Sequence, residues 1–380
     1  MASSTRTFDL AVIGCGIVGA ACARAGARAG LRTIALDREI ACGGATAAGM
    51  GHIVVMDGSE AQLVLTHFSR QLWRQLIPEL PEAAEYRSCG TLWIAADDEE
   101  WELARRKQAW FAARGVTGEL LDAQQLTEAE PCLRPGLAGA LRVPDDGVLY
   151  PPAAAQWLLR QAQNAGAEIR RGVTMTHLNE QAIHLAGGDP IAAGAIIVAT
   201  GREGPELIPE IPLRPRKGHL LITDRYPDFL RHQLVELGYL RRAHAREESS
   251  VSFNLQPRAT GQVLIGSSRQ YSSNGGVEPA ILGQMLARAQ TYVPRLRTLR
   301  GLRAWTGFRA ATPDDLPCIG PLPQRPHIYA GLGHEGLGIT TSLGTAELLM
   351  AQIIGSAMPI PAEPYLPARF IAEPGTMEHV

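Results

Sequence analysis

Charge is sparse in this 380-residue chain: Asp, Glu, Lys and Arg make up only 19% of it, and the net charge is −2. So flat a balance offers no field to draw a nucleic acid or an anionic membrane surface. Aromatic residues are few, at 6%. The six cysteines (15, 22, 42, 89, 132 and 318) include no C-x-x-C pair. That argues against a disulfide scaffold, a zinc site or an iron–sulfur cluster, and no metal is expected. No apolar run approaches the length that spans a bilayer, and residues 1–7 do not read as a secretion signal. The expected location is the cytoplasm, with docking at the periphery of the inner membrane left open.

What the chain does have is glycine, 40 of them, and the most informative cluster is near the start. Leu10 to Ile13 reads as a buried parallel strand running into Gly14-Cys15-Gly16-Ile17-Val18-Gly19, a G-x-G-x-x-G turn opening a helix. The first glycine permits the tight turn, the second lets a pyrophosphate approach the backbone, and the third lets helix and strand pack closely. The helix start, Ile17 and Val18 included, offers N–H groups and the positive end of its dipole. A second strand, Thr33 to Leu36, ends in Asp37, 23 residues after Gly14, where a carboxylate is placed for a ribose diol. A glycine turn alone is weak evidence. Strand, turn, helix, strand and acid in this order point to an adenine dinucleotide.

At 380 residues two domains are expected. After the first βαβ unit comes a small-residue loop, Gly43 to His52, that could lie against a flat ligand. A helix is expected over 60–80, a strand over 86–95, a charged helix over 99–114 and a turn-rich connection over 121–139. The helix 153–165 and the strands 168–173 and 195–198, the latter entering Ala199-Thr200-Gly201, restore the α/β texture. From Pro212 short strands alternate with turns (218–223, 235–240, 250–255, 262–266), the pattern of an antiparallel sheet covered by a helix near 281–292. A last helix is expected over 343–354, and a proline-bearing tail (359, 361, 364, 367, 374) after it. The expected fold is thus α/β: a Rossmann-like nucleotide domain of 1–85, 146–211 and 301–380, and a substrate domain of 86–145 and 212–300 on a mostly antiparallel sheet.

Four separated motifs then coincide: the Gly14 turn with Asp37; Gly43-Gly44-Ala45-Thr46-Ala47-Ala48-Gly49-Met50; Ala199-Thr200-Gly201; and a C-terminal block. That block runs Trp305-Thr306-Gly307-Phe308-Arg309, Thr312-Pro313-Asp314-Asp315-Leu316-Pro317-Cys318-Ile319-Gly320 and Gly333-His334-Glu335-Gly336-Leu337-Gly338-Ile339-Thr340. Over residues 8 to about 355 the chain resembles the FAD-dependent D-amino acid oxidase family, which includes glycine oxidase and sarcosine oxidase. On Arg216-Lys217-Gly218-His219, Gln256-Pro257-Arg258-Ala259-Thr260-Gly261 and the Gly333 block it looks most like the D-hydroxyproline dehydrogenase branch. Its neighbours are the opine oxidase and hydrogen cyanide synthase flavoprotein subunits.

The resemblance implies FAD held by Gly14, Gly16, Ile17, Val18, Gly19, Asp37 and Arg38. Ala45, Thr46, Ala48, Gly49 and Met50 would lie along the isoalloxazine, Val173 at the adenine, and Thr200 and Gly201 at the strand end. Gly333, His334, Gly336, Leu337, Gly338, Ile339 and Thr340 would supply N–H groups and a helix dipole where reduction places negative charge. Arg309 matches the arginine that binds the substrate carboxylate, which suits a planar guanidinium; the bland alternative is an ion pair with Asp314 or Asp315. His52, Asn254 and Gln256 are weaker candidates to face the substrate. The position of the flavin-attaching cysteine of sarcosine oxidase is Gly307 here, so FAD is expected to be non-covalent. The strand around Asn254 lacks the lysine that sarcosine-type oxidases place near the flavin. The expected activity is oxidation of a small amino or imino acid, best cis-4-hydroxy-D-proline, by a dehydrogenase. Its electrons would pass to a quinone, a partner protein or oxygen. The alternatives are a glycine, sarcosine or opine oxidase, or a flavoprotein subunit of a hetero-oligomer.

Overall fold

Why the first strand is so apolar becomes plain in the computed structural model, which describes residues 7–179, 182–238 and 249–371. Thr7–Ile13 lies inside an eight-stranded sheet, parallel to Thr33–Asp37 on one side and Ile191–Val198 on the other. Glu168–Arg171 and Arg325–Leu332 extend this row in parallel at its two ends. A strand covered on both faces must be continuously apolar, and Leu10, Ala11, Val12 and Ile13 are all fully buried. The helix Ile17–Arg28 lies close on this sheet because its inner face is small: a Cβ at Gly26 would sit 2.3 Å from Leu10 Cδ2. The helices Pro151–Asn164 and Gly338–Ile354 flank it.

The second eight-stranded sheet runs Gly301–Ala311, Arg214–Arg225, Gln262–Tyr271, Ser249–Pro257, Gln233–Glu236, Thr91–Ala95, Gly139–Val143, Glu119–Asp122. It is antiparallel except where Gln233–Glu236 lies parallel to Thr91–Ala95. Its back is covered by the helix Pro279–Tyr292, whose Tyr292 stacks on Phe253 at 4.6 Å between ring centroids. The front faces the nucleotide sheet, and the cleft lies between them.

The α/β fold with a mostly antiparallel second sheet is as expected; several details differ. Residues 301–311, grouped above with the nucleotide segments, pair along their length with Arg214–Arg225 and belong to the second sheet. The chain joins the first sheet only at Cys318–Leu322. The connection 121–139 contains a helix, Ala123–Ala129, started by an Asp122–Gln125 capping box. The strand expected over 86–95 begins only at Thr91, and that over 168–173 stops at Arg171. The last helix begins at Gly338 rather than near 343, because glycine and β-branched residues in its first turns give no helical signal. Of the expected strand 235–240, residues 239 and 240 lie outside the described residues, as does the tail's last proline. Among the described residues no helix is long and apolar enough to cross a membrane.

Candidate active site

A cleft of about 630 Å³ runs from the Gly14 turn, between the two sheets, to Trp93 and Val235, within the range of small-molecule and cofactor sites. At its nucleotide end Gly14 has φ +98°, and a Cβ there would lie 2.6 Å from the Ala199 carbonyl oxygen. A Cβ at Gly19 would meet the Gly14 oxygen at 1.8 Å. Gly19 therefore serves packing and does not itself line the cleft, while Gly14, Gly16, Ile17 and Val18 do. Gly16 caps its helix without any side chain, leaving that end open. One N–H is already used: Ile17 donates to Thr46 Oγ1 at 3.0 Å, tying the helix start to the small-residue loop.

Asp37 is fixed by its own backbone surroundings. Cys15 N–H donates to Oδ2 at 2.6 Å and Glu39 N–H to Oδ1 at 2.9 Å, and the residue lines the cleft. Arg38 also lines this end and pairs with Glu206 at 3.3 Å. Val173 does not line the cleft: its N–H donates to the Asp37 carbonyl, and Met175 and Thr176 form that wall. Thr200 and Gly201 line the cleft, and Thr200 Oγ1 is buried with no partner among the described residues. Such an orphaned hydroxyl calls for a ligand or water.

The loop expected against the flat ligand is a short helix, Gly44–Ala48. Ala45, Thr46, Ala48, Gly49 and Met50 line the cleft. Trp305 Nε1 donates to the Ala48 carbonyl at 3.2 Å, and Gly307 has no room for a side chain, its Cβ falling 2.5 Å from that of Ala48. The two sheets are thus joined beside the cleft. Opposite, Gly333, His334, Gly336, Leu337, Gly338 and Ile339 line the wall, and the helix Gly338–Ile354 presents a start with no side-chain cap and no acidic residue in its first turn. Trp73 Nε1 donates to the Ile339 and Thr340 carbonyls, both at 3.1 Å, and fixes that start. Thr340 is behind the wall, donating to the His52 carbonyl at 2.9 Å. The His334 ring turns away to Thr345 Oγ1 at 3.0 Å, and burial pushes its pKa down to about 4.

Arg309 lines the cleft. It pairs with neither aspartate named above: Asp314 is taken by Arg369 at 2.7 Å and Asp315 by Arg216 at 3.1 Å. Its Nη1 donates to the Ser268 carbonyl at 3.1 Å and its Nε lies 3.8 Å from Glu335. The guanidinium rests over Gly218, where a Cβ would come within 2.8 Å of Nη1. Sequence reasoning missed the rest of this cluster. Arg216 is the direct cross-strand partner of Arg309, and Glu335 also pairs with Arg216 at 3.4 Å and Arg269 at 3.5 Å. Like charges opposite one another destabilise a sheet, and Glu335 offsets that. Burial pushes the Glu335 carboxyl up, but Arg269, Arg309 and Arg216 outweigh it and hold the group down at about 2.

That depression has a pH signature. A carboxyl below its ordinary value of 4.5 contributes stability in full above that pH and loses it as the pH falls toward about 2. Glu335→Gln should therefore flatten acid unfolding in this window. At neutral pH it should lower stability by roughly 3 kcal/mol, the order of leaving a buried charge cluster uncompensated. Circular dichroism against pH checks this; an unchanged acid limb would remove Glu335 from the cluster.

His52 lines the cleft with Nε2 unpartnered among the described residues; burial first, then Arg309, pushes its pKa down to about 4, while the neighbouring Gln256 opposes the shift. It is therefore a neutral group at ordinary pH. Asn254 lines the cleft; Gln256, two residues on, is fully buried and does not line it. The residues fit FAD: an open glycine turn, a carboxylate for a ribose, an orphaned hydroxyl and a second open helix start.

Comparison with known proteins agrees. The model of the DAO family, FAD dependent oxidoreductase, matches residues 9–352. The chain belongs to this family. It is 27% identical to hydrogen cyanide synthase subunit HcnC of Pseudomonas aeruginosa over 98% of both chains. It is 25% identical to an opine oxidase subunit of Rhizobium meliloti, covering 96% of this chain and 98% of that one. The crystal structure of glycine oxidase from Geobacillus kaustophilus superposes with a TM-score of 0.86 at 24% identity, over 97% of this chain and 100% of that one.

Proposed function

We propose that the protein oxidises the C–N bond of a small amino or imino acid, binding its carboxylate through Arg309. The observation that carries this reading is a guanidinium held between a buried carboxylate and the cleft, close to the open helix start at Gly338. FAD, when bound, would accept two electrons and a hydrogen from the substrate α-carbon. The chain's own residues would hold the carboxylate at Arg309 and keep the amine beside the neutral His52. A C–H bond and an N–H bond break, the C=N bond forms, and the proton from nitrogen leaves to water. No charged base is required when the amine presents its lone pair and the α-hydrogen is positioned.

The favoured substrate is cis-4-hydroxy-D-proline, giving a cyclic imine, and the favoured class is a dehydrogenase passing electrons to a quinone or a partner protein. Both rest on the motif resemblance. A second reading, an opine carrying a further carboxylate, is favoured by Arg216 and Arg269 beside Arg309 and by the likeness to the opine oxidase subunit. Non-covalent FAD is supported by the cysteines: all six are buried and none lines the cleft.

An anaerobic flavin-bleaching screen against D- and L-amino acids, hydroxyprolines, sarcosine and opines tests the reading. Bleaching by a carboxylate-bearing amine is expected; none by any of them would refute it. Peroxide formed in air as fast as an artificial dye is reduced would sink the dehydrogenase preference, and flavin left on acid-precipitated protein would sink non-covalent binding.

A further inference from the structure

Beyond Asn254 the floor of the cleft continues across two more strands, and three of its buried polar atoms find no partner among the described residues. Val235 is the direct partner of Trp93 on one side and Asn254 on the other, and Gln233 lies two residues from Val235 on the same face. All four line the cleft. Trp93 is 2% exposed, Gln233 3% and Asn254 9%, yet Trp93 Nε1, Gln233 Oε1 and Asn254 Oδ1 have no hydrogen-bond partner among the described residues. Leaving such groups buried and unpaired costs about 1–3 kcal/mol each. The donor is also fixed in place: the Lys107 ammonium lies 4.1 Å over the Trp93 ring and is itself held by Asp57.

We infer that Trp93, Gln233 and Asn254 form a specificity subsite for a neutral group that both accepts and donates hydrogen bonds: a hydroxyl or a primary carboxamide on the substrate. One N–H donor and two carbonyl acceptors complement such a group, whereas a carboxylate could not serve the acceptors. The inference rests on the amino acid oxidoreductase reading and extends it to the substrate's far end. The Arg309 guanidinium reaches Ser268, one strand from Asn254, two from Gln233 and three from Trp93. At about 4.8 Å per strand the subsite begins near a ring hydroxyl and ends within reach of a longer side chain.

The test is a set of shape-matched pairs assayed with the holoenzyme and an artificial acceptor: D-proline against cis-4-hydroxy-D-proline, D-leucine against D-asparagine, and D-norleucine against D-glutamine. The polar member should be favoured in kcat/KM by at least about tenfold. Trp93→Phe and Gln233→Leu should bring the ratio for the longer pairs to within about threefold of one, with flavin content reporting that each variant is folded. Wild-type ratios near or below one in every pair that reduces the flavin would overturn the subsite while leaving the oxidoreductase reading standing. If no pair reduces the flavin and the wider screen is also negative, both fall together. The wild-type ratios decide the matter even if a variant fails to fold.

Discussion

Arg309→Ala is expected to lower kcat/KM by about 10²–10³, or roughly 3–4 kcal/mol, once the substrate is known. The size follows from what is lost. A charge-assisted, two-pronged contact between guanidinium and carboxylate is about twice as strong as a neutral hydrogen bond, and removing one partner leaves the other desolvated and unpaired. Folding should survive, because Glu335 keeps Arg216 at 3.4 Å and Arg269 at 3.5 Å. Arg309→Lys should fall between wild type and alanine, retaining a charge without the planar fork. If Arg309 also holds the substrate over the reacting centre, kcat will fall with kcat/KM; if it only captures substrate, KM alone will rise. An alanine variant with unchanged kcat/KM would remove Arg309 from the site.

Arg309 can be singled out in the sequence because it sits in a local motif, and the same holds for Gly14, Asp37 and the Gly333 segment. Each is a residue type at a fixed distance along the chain from a strand end or helix start. Its partners cannot be found that way. Arg216 faces Arg309 across an antiparallel ladder, and Arg269 comes from a third strand. Which residues meet there depends on strand order and register, which periodicity does not specify. Glu335 is visible in the sequence only as one letter between the glycines of a motif, yet it pairs with all three arginines. The Trp93–Gln233 row is hidden for the same reason, since it depends on a parallel pairing between Thr91–Ala95 and Gln233–Glu236, some 140 residues apart. Val173 shows the converse case. The strand ends two residues before it, its N–H is used on the Asp37 carbonyl, and Met175 and Thr176 line the cleft there.

The second large effect is expected at the other end of the cleft. Gly14→Ala should reduce FAD affinity by at least about tenfold and destabilise the nucleotide sheet by roughly 3 kcal/mol. Two costs combine. At φ +98° any side chain is strained, by about 1 kcal/mol. The added methyl would also lie 2.6 Å from the Ala199 carbonyl oxygen and 2.8 Å from its carbon, an overpacking cost of about 1–3 kcal/mol. Those atoms are backbone at the end of the neighbouring parallel strand, so they cannot swing aside as a long side chain would. If the turn moves to make room, Ala199, Thr200 and Gly201 move with it, and they line the same end of the cleft. Gly30→Ala separates the two costs: Gly30 has φ +83°, nothing lies within 4 Å of its added Cβ, and it does not line the cleft. It should show the strain alone and keep its flavin. Flavin-to-protein absorbance ratios and denaturant midpoints for both variants make the comparison. A Gly14→Ala protein with full flavin and a midpoint equal to that of Gly30→Ala would mean that the turn has slack. The backbone approach at Gly14 would then not be what anchors the cofactor.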